Sequence, residues 1–408
     1  MNASAAFPGG VNASMANHSL DSGTLWLLSL CAFASMASMR ICDAMLPSLA
    51  TEFMATTGQA ARAISGFAVA YGVLQLFYGP LGDRIGKARV VGFATLACTF
   101  GSVAAALSPS LDWLIASRVL TGMAAAGIIP LTMAWIGDSV SYDARQEVLA
   151  RLLGATVFGM ICGQWFGGLI SELFGWRSAF AVLSVIFLIT GSMLTKKALG
   201  LSRSTSAASG SIGRRVLEVL SRPWARLVLV IACIEGALAF SALAFIPFHL
   251  HATFHLTMPE AGAIVALYGA GGLLYSRFAR ALVHRLGEPG LAKLGGTCMG
   301  VAFATIAFAP SWPFALPACL VGGFGFYALH NTLQTNATQM APAARGTAVS
   351  LFACVLFLGQ SVGILIAAWI VDRLSSSIVF ATSALGLLLL GGAFAILVGR
   401  HHRQSKEA

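Results

Sequence analysis

The chain reads as an all-α membrane protein with 12 transmembrane helices in two pseudo-symmetric six-helix bundles, and three observations predict it. Hydrophobic residues fill 57% of the 408 positions and charged residues 10%, whereas a water-soluble globule carries about a quarter charged residues. Apolar stretches of spanning length recur twelve times; each crossing takes about 20 residues, because a backbone in hydrocarbon must satisfy its amides within its own helix. The second half of the chain also repeats landmarks of the first at a near-constant spacing.

The predicted spans lie near 24–49, 60–82, 90–108, 113–137, 147–170, 178–195, 227–249, 261–283, 291–309, 314–338, 347–371 and 376–398. Residues 1–22 form a polar preface expected to be disordered. No Lys or Arg occurs among the first 39 residues, so the basic leader of a cleavable signal is missing and the first apolar run is expected to be retained. The stretch 196–225, rich in Ser, Gly and basic residues, has the composition of a solvated linker. It separates an amino-terminal bundle, 23–195, from a carboxy-terminal bundle, 226–399, and residues 400–408 form a basic tail.

Of the 25 Lys and Arg, all except Arg40, Arg62, Arg118, Arg177 and Arg373 fall on one side of the alternating loops. Basic residues are retained on the cytoplasmic side, so both termini and the linker are expected in the cytoplasm. The net charge of +10 is then a topology signal and a handle for anionic membrane lipid, not a nucleic-acid footprint. Glycosylation-type triplets at Asn2, Asn12 and Asn17 carry no meaning on that side. All eight cysteines lie inside predicted spans without the short paired spacing of a metal site, and are expected to be free thiols packing as small apolar groups.

A shift of 200 residues lays Pro47 on Pro247, Ala144-Arg145 on Ala344-Arg345, Gly159 and Gly163 on Gly359 and Gly363, and Glu172 on Asp372. A shift of 201 lays Leu81, Arg84 and Gly86 on Leu282, Arg285 and Gly287. Duplication of this kind produces two bundles related by an axis along the membrane normal.

After the second span comes GPLGDRIGKARV, residues 79–90. Its glycines allow a tight turn and close helix approach, and Asp83 is an anion suited to the positive N-terminal end of a neighbouring helix. Asp138, at the end of the fourth span, is placed to pair with a basic residue of this loop. The loop, the twelve-span layout and the duplication resemble the major facilitator superfamily, in particular its twelve-span drug/proton antiporter branch and the bacterial arabinose-efflux-like permeases. The resemblance covers nearly the whole chain and implies two bundles around a central cavity that opens alternately to each side of a bacterial inner membrane. It further implies a cytoplasmic gate made by Gly79, Asp83, Arg84, Gly86, Lys87 and Arg89 with Asp138 and Arg345, in which Asp83 faces the start of the eleventh helix. The second half keeps the turn as LVHRLGEPG, but His284 replaces the acid, so that latch is expected to be weaker.

A charge at a helix centre in hydrocarbon costs about 2.5–3.5 kcal/mol on insertion scales, which makes intramembrane ionisable residues functional candidates. Arg40 and Asp43 share a face of the first span, one turn before Pro47. Arg118 opens the fourth span in RVLTGMAAAG and resembles the family's fourth-helix arginine motif. The depths of Asp43 and Arg118 agree to within a turn of about 5.4 Å, which predicts an Asp43–Arg118 ion pair with Arg40 competing for the same carboxylate. Glu235, in IACIEGALAF of the seventh span, has no basic residue within a helical turn, and a lone buried acid is a candidate to exchange protons. Glu235 and Asp43 are therefore the candidate proton-coupling residues. They are not symmetry mates, since Glu235 falls on Ser35 under the 200-residue shift. Members of the antiporter branch often carry another acid near Ser35, and this chain does not.

The string GMICGQWFGG resembles the fifth-span motif associated with antiporters, whose core is Gly-Pro-x-x-Gly-Gly; Gln164 stands where the proline would be. Gly159, Gly163, Gly167 and Gly168 predict close packing on another helix, without the kink a proline imposes. In the tenth span, HNTLQTNATQ sets His330, Asn331, Gln334 and Thr338 on a polar stripe, which either faces a cavity or joins bundle helices. Tyr71, Gln75, Gln164, Phe245 and Tyr268 complete the candidate cavity. His249, His251 and His255 read as solvated histidines, and neither a metal nor another cofactor is implied.

Several classes are excluded. The phosphate-cradling GxxxxGK[ST] is absent, so no ATP is implied. A membrane-embedded transferase needs a catalytic His-Asp pair or an acidic metal cluster, and the 15 acids are scattered. A channel has no need of a duplication with a loop latch. The expectation is a monomeric secondary carrier of a small organic solute, exporting it in exchange for protons. Import or uncoupled facilitation on the same fold is the alternative. Few fixed charges suit a neutral, cationic or amphipathic solute better than a polyanion.

Overall fold

A computed structural model describes residues 22–140, 142–200 and 212–407. The expectations for the preface 1–21 with its Asn triplets, and for linker residues 201–211, lie outside the described residues. Among the described residues there is no strand. The spanning helices are α1 (Gly23–Glu52), α2 (Thr57–Ile85), α3 (Lys87–Ala106), α4 (Leu111–Ser139), α5 (Glu147–Phe174), α6 (Trp176–Leu199), α7 (Pro223–Phe254), a run Met258–Phe308, α10 (Trp312–Gln339), α11 (Arg345–Arg373) and α12 (Ser376–Arg403). The run Met258–Phe308 is two spans, because Gly287 at φ 63° breaks it into α8 (258–286) and α9 (288–308). That makes twelve. Gly86, 201 residues earlier, turns between α2 and α3 at φ 105°. A Cβ is strained at either value, so both halves need glycine at this corner, whatever the flanking charges.

The stretch expected to be a solvated linker contains a helix, Ile212–Ser221, which buries Val219 and exposes Arg214. The seventh span then begins at Pro223, with its proline in the first turn, where a missing N–H costs nothing. The basic tail is likewise helical, since the last helix continues to Glu407.

The duplication is visible as repeated packing. A Cβ on Gly159 or Gly163 of α5 would collide with the carbonyl oxygens of Phe33 and Ala37 on α1. A Cβ on Gly359 or Gly363 of α11 would collide with those of Cys233 and Ala237 on α7. Gly122 of α4 meets Phe67 of α2 in the same way, and Gly323 of α10 meets Tyr268 of α8. Both partners of every contact map onto their counterparts by 200 or 201 residues, so the repeated spacing is a repeated geometry. Backbone-to-backbone approach through small residues is how helices associate where no hydrophobic drive is available.

The halves meet along two seams, α2 with α11 and α5 with α8. On the first, Gly58 abuts Asp372, Ser65 Oγ lies 2.6 Å from Ser361 Oγ, and the Tyr71 ring stands edge-on to Phe357 at 4.7 Å. Further along, neither Gly79 nor Gly346 has anything within 4 Å of where a Cβ would stand. On the second seam Gly168 meets Met258, Gly262 meets Gln164 and Gly269 meets Ile161, and then Gly154 is open. The halves are closed on each other at the end remote from the 79–90 turn, and parted at the end that carries it.

Candidate functional site

Pro47 lacks an N–H and its ring crowds the carbonyl four residues back, at Asp43. The first span breaks there: its α-helix stops at Arg40, a 3-10 turn covers Asp43–Met45, and the helix resumes at Leu46. Asp43 is wholly buried in the break. The Asp43–Arg118 ion pair expected from depth is not made. Asp43 Oδ2 is 3.4 Å from Arg40 Nη1, its competitor in the sequence. Arg118 instead donates from Nη1 to Ser38 Oγ (3.1 Å) and from Nη2 to the Ser38 carbonyl (2.8 Å), and its guanidinium lies 4.3 Å over the Phe67 ring. Depth in the membrane does not set direction around a helix, and the broken turn carries Asp43 back over Arg40. Gln164 of α5 lies beside Asp43, yet Asp43 Oδ1 and Gln164 Nε2 both lack a hydrogen-bond partner.

From this cluster the path crosses between the halves. The Arg40 guanidinium lies 4.6 Å over the ring of Phe240, its mate under the 200-residue shift, so the contact sits at the axis relating the bundles. Phe240 meets Phe326 edge-on at 5.2 Å, and Phe326 stacks on His330 at 5.0 Å. His330 Nδ1 is 3.0 Å from Glu235 Oε2, and Glu235 is wholly buried. Phe352 and Tyr268 close the aromatic wall, at 5.4 Å from His330 and 6.0 Å from Phe326. Glu235 Oε1 and the Tyr268 hydroxyl have no hydrogen-bond partner. Glu235 is therefore not a lone acid. Its partner comes from the polar stripe of α10, too far along the chain for a search within one helical turn to find. One proton shared between Nδ1 and Oε2 leaves the pair at net −1, and a second makes it neutral.

The other cavity candidates separate. Tyr71 lies in the α2–α11 seam against Phe357. Phe245 is fully buried in the hydrophobic core, so it packs and does not face an opening. Gln75 is buried with its Oε1 unpartnered. Asn331 lies beside Tyr275, and Gln334 is half-buried.

The expected latch from Asp83 to the eleventh helix is not closed. Asp83 lies 3.6 Å from Lys87, Lys87 bridges to Asp138, and all three belong to the first half. Arg89 donates to the last carbonyls of α6, at Ala198 (3.1 Å) and Leu199 (3.2 Å). Arg84 and Arg345 are exposed. The halves stand apart here, so the loop satisfies its charges locally. Where Lys87 braces the first half, the second has Glu288, which accepts from Asn336 Nδ2 at 2.9 Å and lies 3.5 Å from His402. The brace is repeated with its charge inverted.

Contacts that do join the halves lie at the other end. Asp372 accepts from the Gly58 N–H (2.9 Å) and the Thr56 hydroxyl (2.6 Å), and Glu172 accepts from the Met258 N–H (3.1 Å). The sequence carried two signals of this: the Glu172–Asp372 match, and the capping boxes T-x-x-Q at Thr56 and T-x-x-E at Thr257 that mark helix starts.

Residues 28–363 match the family model of the Major Facilitator Superfamily. The chloramphenicol resistance protein of Streptomyces lividans is 27% identical over 351 residues, spanning 84% of this chain and 88% of that protein. The solved structure of a mutant nucleoside transporter NupG superposes with a TM-score of 0.78 at 13% identity, covering 91% of this chain and 98% of that one. A bacterial homologue of the human lysosomal transporter Spinster, inward-facing and unoccupied, superposes with a TM-score of 0.74 at 16% identity, covering 93% and 97%. At these identities the structures share the fold.

Proposed function

The chain belongs to the Major Facilitator Superfamily, and from that premise we propose that it is a monomeric secondary transporter exporting a small organic solute across the cell inner membrane in exchange for protons. The observation that carries the proton coupling is the buried Glu235–His330 pair. The pair holds either an added proton or a solute that supplies positive charge or a hydrogen-bond donor to Glu235 Oε1. Since each neutralises the same site, loading one favours release of the other, which is the requirement of antiport. Asp43 is held by the permanent cation Arg40 and serves as its counter-charge, so Glu235 is the principal coupling residue. The basic loops support cytoplasmic termini with inner loops on anionic lipid, and the parted end then faces the cytoplasm, ready to load from inside. An aromatic wall beside an acid supports a cationic or amphipathic solute, and the relative named for chloramphenicol resistance supports a drug-like one.

Growth of an overexpressing strain against a drug panel, beside a knockout, identifies the solute. Proteoliposomes with an imposed pH gradient then test the coupling. Glu235→Gln is expected to lower gradient-driven accumulation at least about tenfold and to flatten its pH dependence, while solute counterflow without a gradient persists. Unchanged proton dependence removes Glu235 from the mechanism and leaves an uncoupled facilitator or an importer with another proton site.

A further inference from the structure

We infer that Glu172 and Asp372 are twin closures of the transport path at the end remote from the 79–90 turn, each a carboxylate of one half tying down the first turn of a seam helix in the other. The inference rests on the alternating-access reading above. Glu172 ends α5 and reaches Met258 at the start of α8; Asp372 ends α11 and reaches Gly58 at the start of α2. Under the 200-residue shift Glu172 maps onto Asp372 and Gly58 onto Met258, so the two contacts are one device used twice.

The helix starts are arranged to leave these N–H groups for the acids. The first turn of a helix has N–H donors without partners inside the helix. In each capping box the threonine hydroxyl takes one, from Gln59 (3.0 Å) or Glu260 (3.4 Å), and the Gln59 or Glu260 side chain takes the cap's own N–H (2.9 and 2.8 Å). The N–H groups of Gly58 and Met258 lie between them, and the carboxylate of the opposite half accepts each. Close approach is built in as well: a Cβ on Gly58 would collide with the Asp372 carboxylate, and one on Gly168 would come within 2.7 Å of the Met258 carbonyl. Both acids are exposed, so water replaces the bonds as the halves part. Such bonds hold a closed end without making it permanent, which a two-state carrier needs.

Spin labels read this directly, with neither solute nor proton gradient, so failure here is distinct from failure of the export reading. The full chain, with its native cysteines replaced by alanine, is placed in lipid nanodiscs with one of two label pairs. Leu107→Cys with Phe308→Cys spans the closed end, and Ile85→Cys with Leu286→Cys spans the parted end; all four side chains are exposed. Electron–electron resonance distances are expected to show the short-distance population of the 107–308 pair falling about fivefold in the Glu172→Ala/Asp372→Ala double variant, as the balance shifts between two states. The 85–286 distance should shorten at the same time. Asp372→Asn, which keeps size and one acceptor, should shift it less than Asp372→Ala. Unchanged distributions in the double variant overturn the inference, and so does lengthening at both ends, which would make the contacts general struts.

Discussion

The two halves share a packing plan and carry different chemistry inside the membrane. In the first, Arg40 and Arg118 are permanent cations fastened to the first helix through Asp43 and Ser38 and covered by Phe240 and Phe67. In the second, the buried charge is Glu235, a carboxylate 3.0 Å from the imidazole of His330. Glycine contacts and corner turns repeat across the duplication because they are geometric requirements of the scaffold. The charges inside the membrane do not repeat, because the scaffold holds either kind. One bundle thereby carries guanidinium groups, and the other a carboxylate–imidazole pair.

The sharpest test of that contrast sets Arg118→Ala against Glu235→Gln. Arg118→Ala removes two charge-assisted hydrogen bonds and a ring contact and leaves a void, a cost of about 3 kcal/mol. It should show as a clear drop in the thermal midpoint of the detergent-purified protein. Glu235→Gln keeps shape and an acceptor and should cost under about 1 kcal/mol, with its effect confined to proton coupling. Equal stability losses would abolish the distinction. Next come Gly159→Ala and Gly359→Ala, each overpacking a backbone contact at about 1–3 kcal/mol. Because their surroundings are equivalent, the two losses should agree within about 1 kcal/mol, and a wide disagreement would mean the halves are not mechanically alike. The smallest effects belong to the inverted brace: Lys87→Ala and Glu288→Gln should each change stability by less than about 1 kcal/mol, as partly exposed pairs do.

Spans, duplication and glycine corners were legible in the sequence, since hydropathy, spacing and positive φ are local properties. What was not legible depends on direction and on state. The Asp43–Arg118 expectation failed on direction: the Pro47 break decides where Asp43 points, and span counting does not register it. Glu235 looked solitary because its partner arrives from α10, and adjacency of α7 and α10 is a tertiary fact. The residues from Asp83 to Arg89 spell out a latch, but whether it closes depends on which way the carrier stands. Its charges find partners at home when the other half is away.

Glycine-lined contact between α1 and α5, and between α7 and α11, has a mechanical consequence. Where backbone lies on backbone no side chain cushions sliding, so each pair travels as a single plank. One plank carries Arg40 and Asp43 on one board and Glu172 on the other; its twin carries Glu235 and Asp372. A displacement at the closed rim therefore reaches Arg40, Asp43 and Glu235 without any relay of intervening residues.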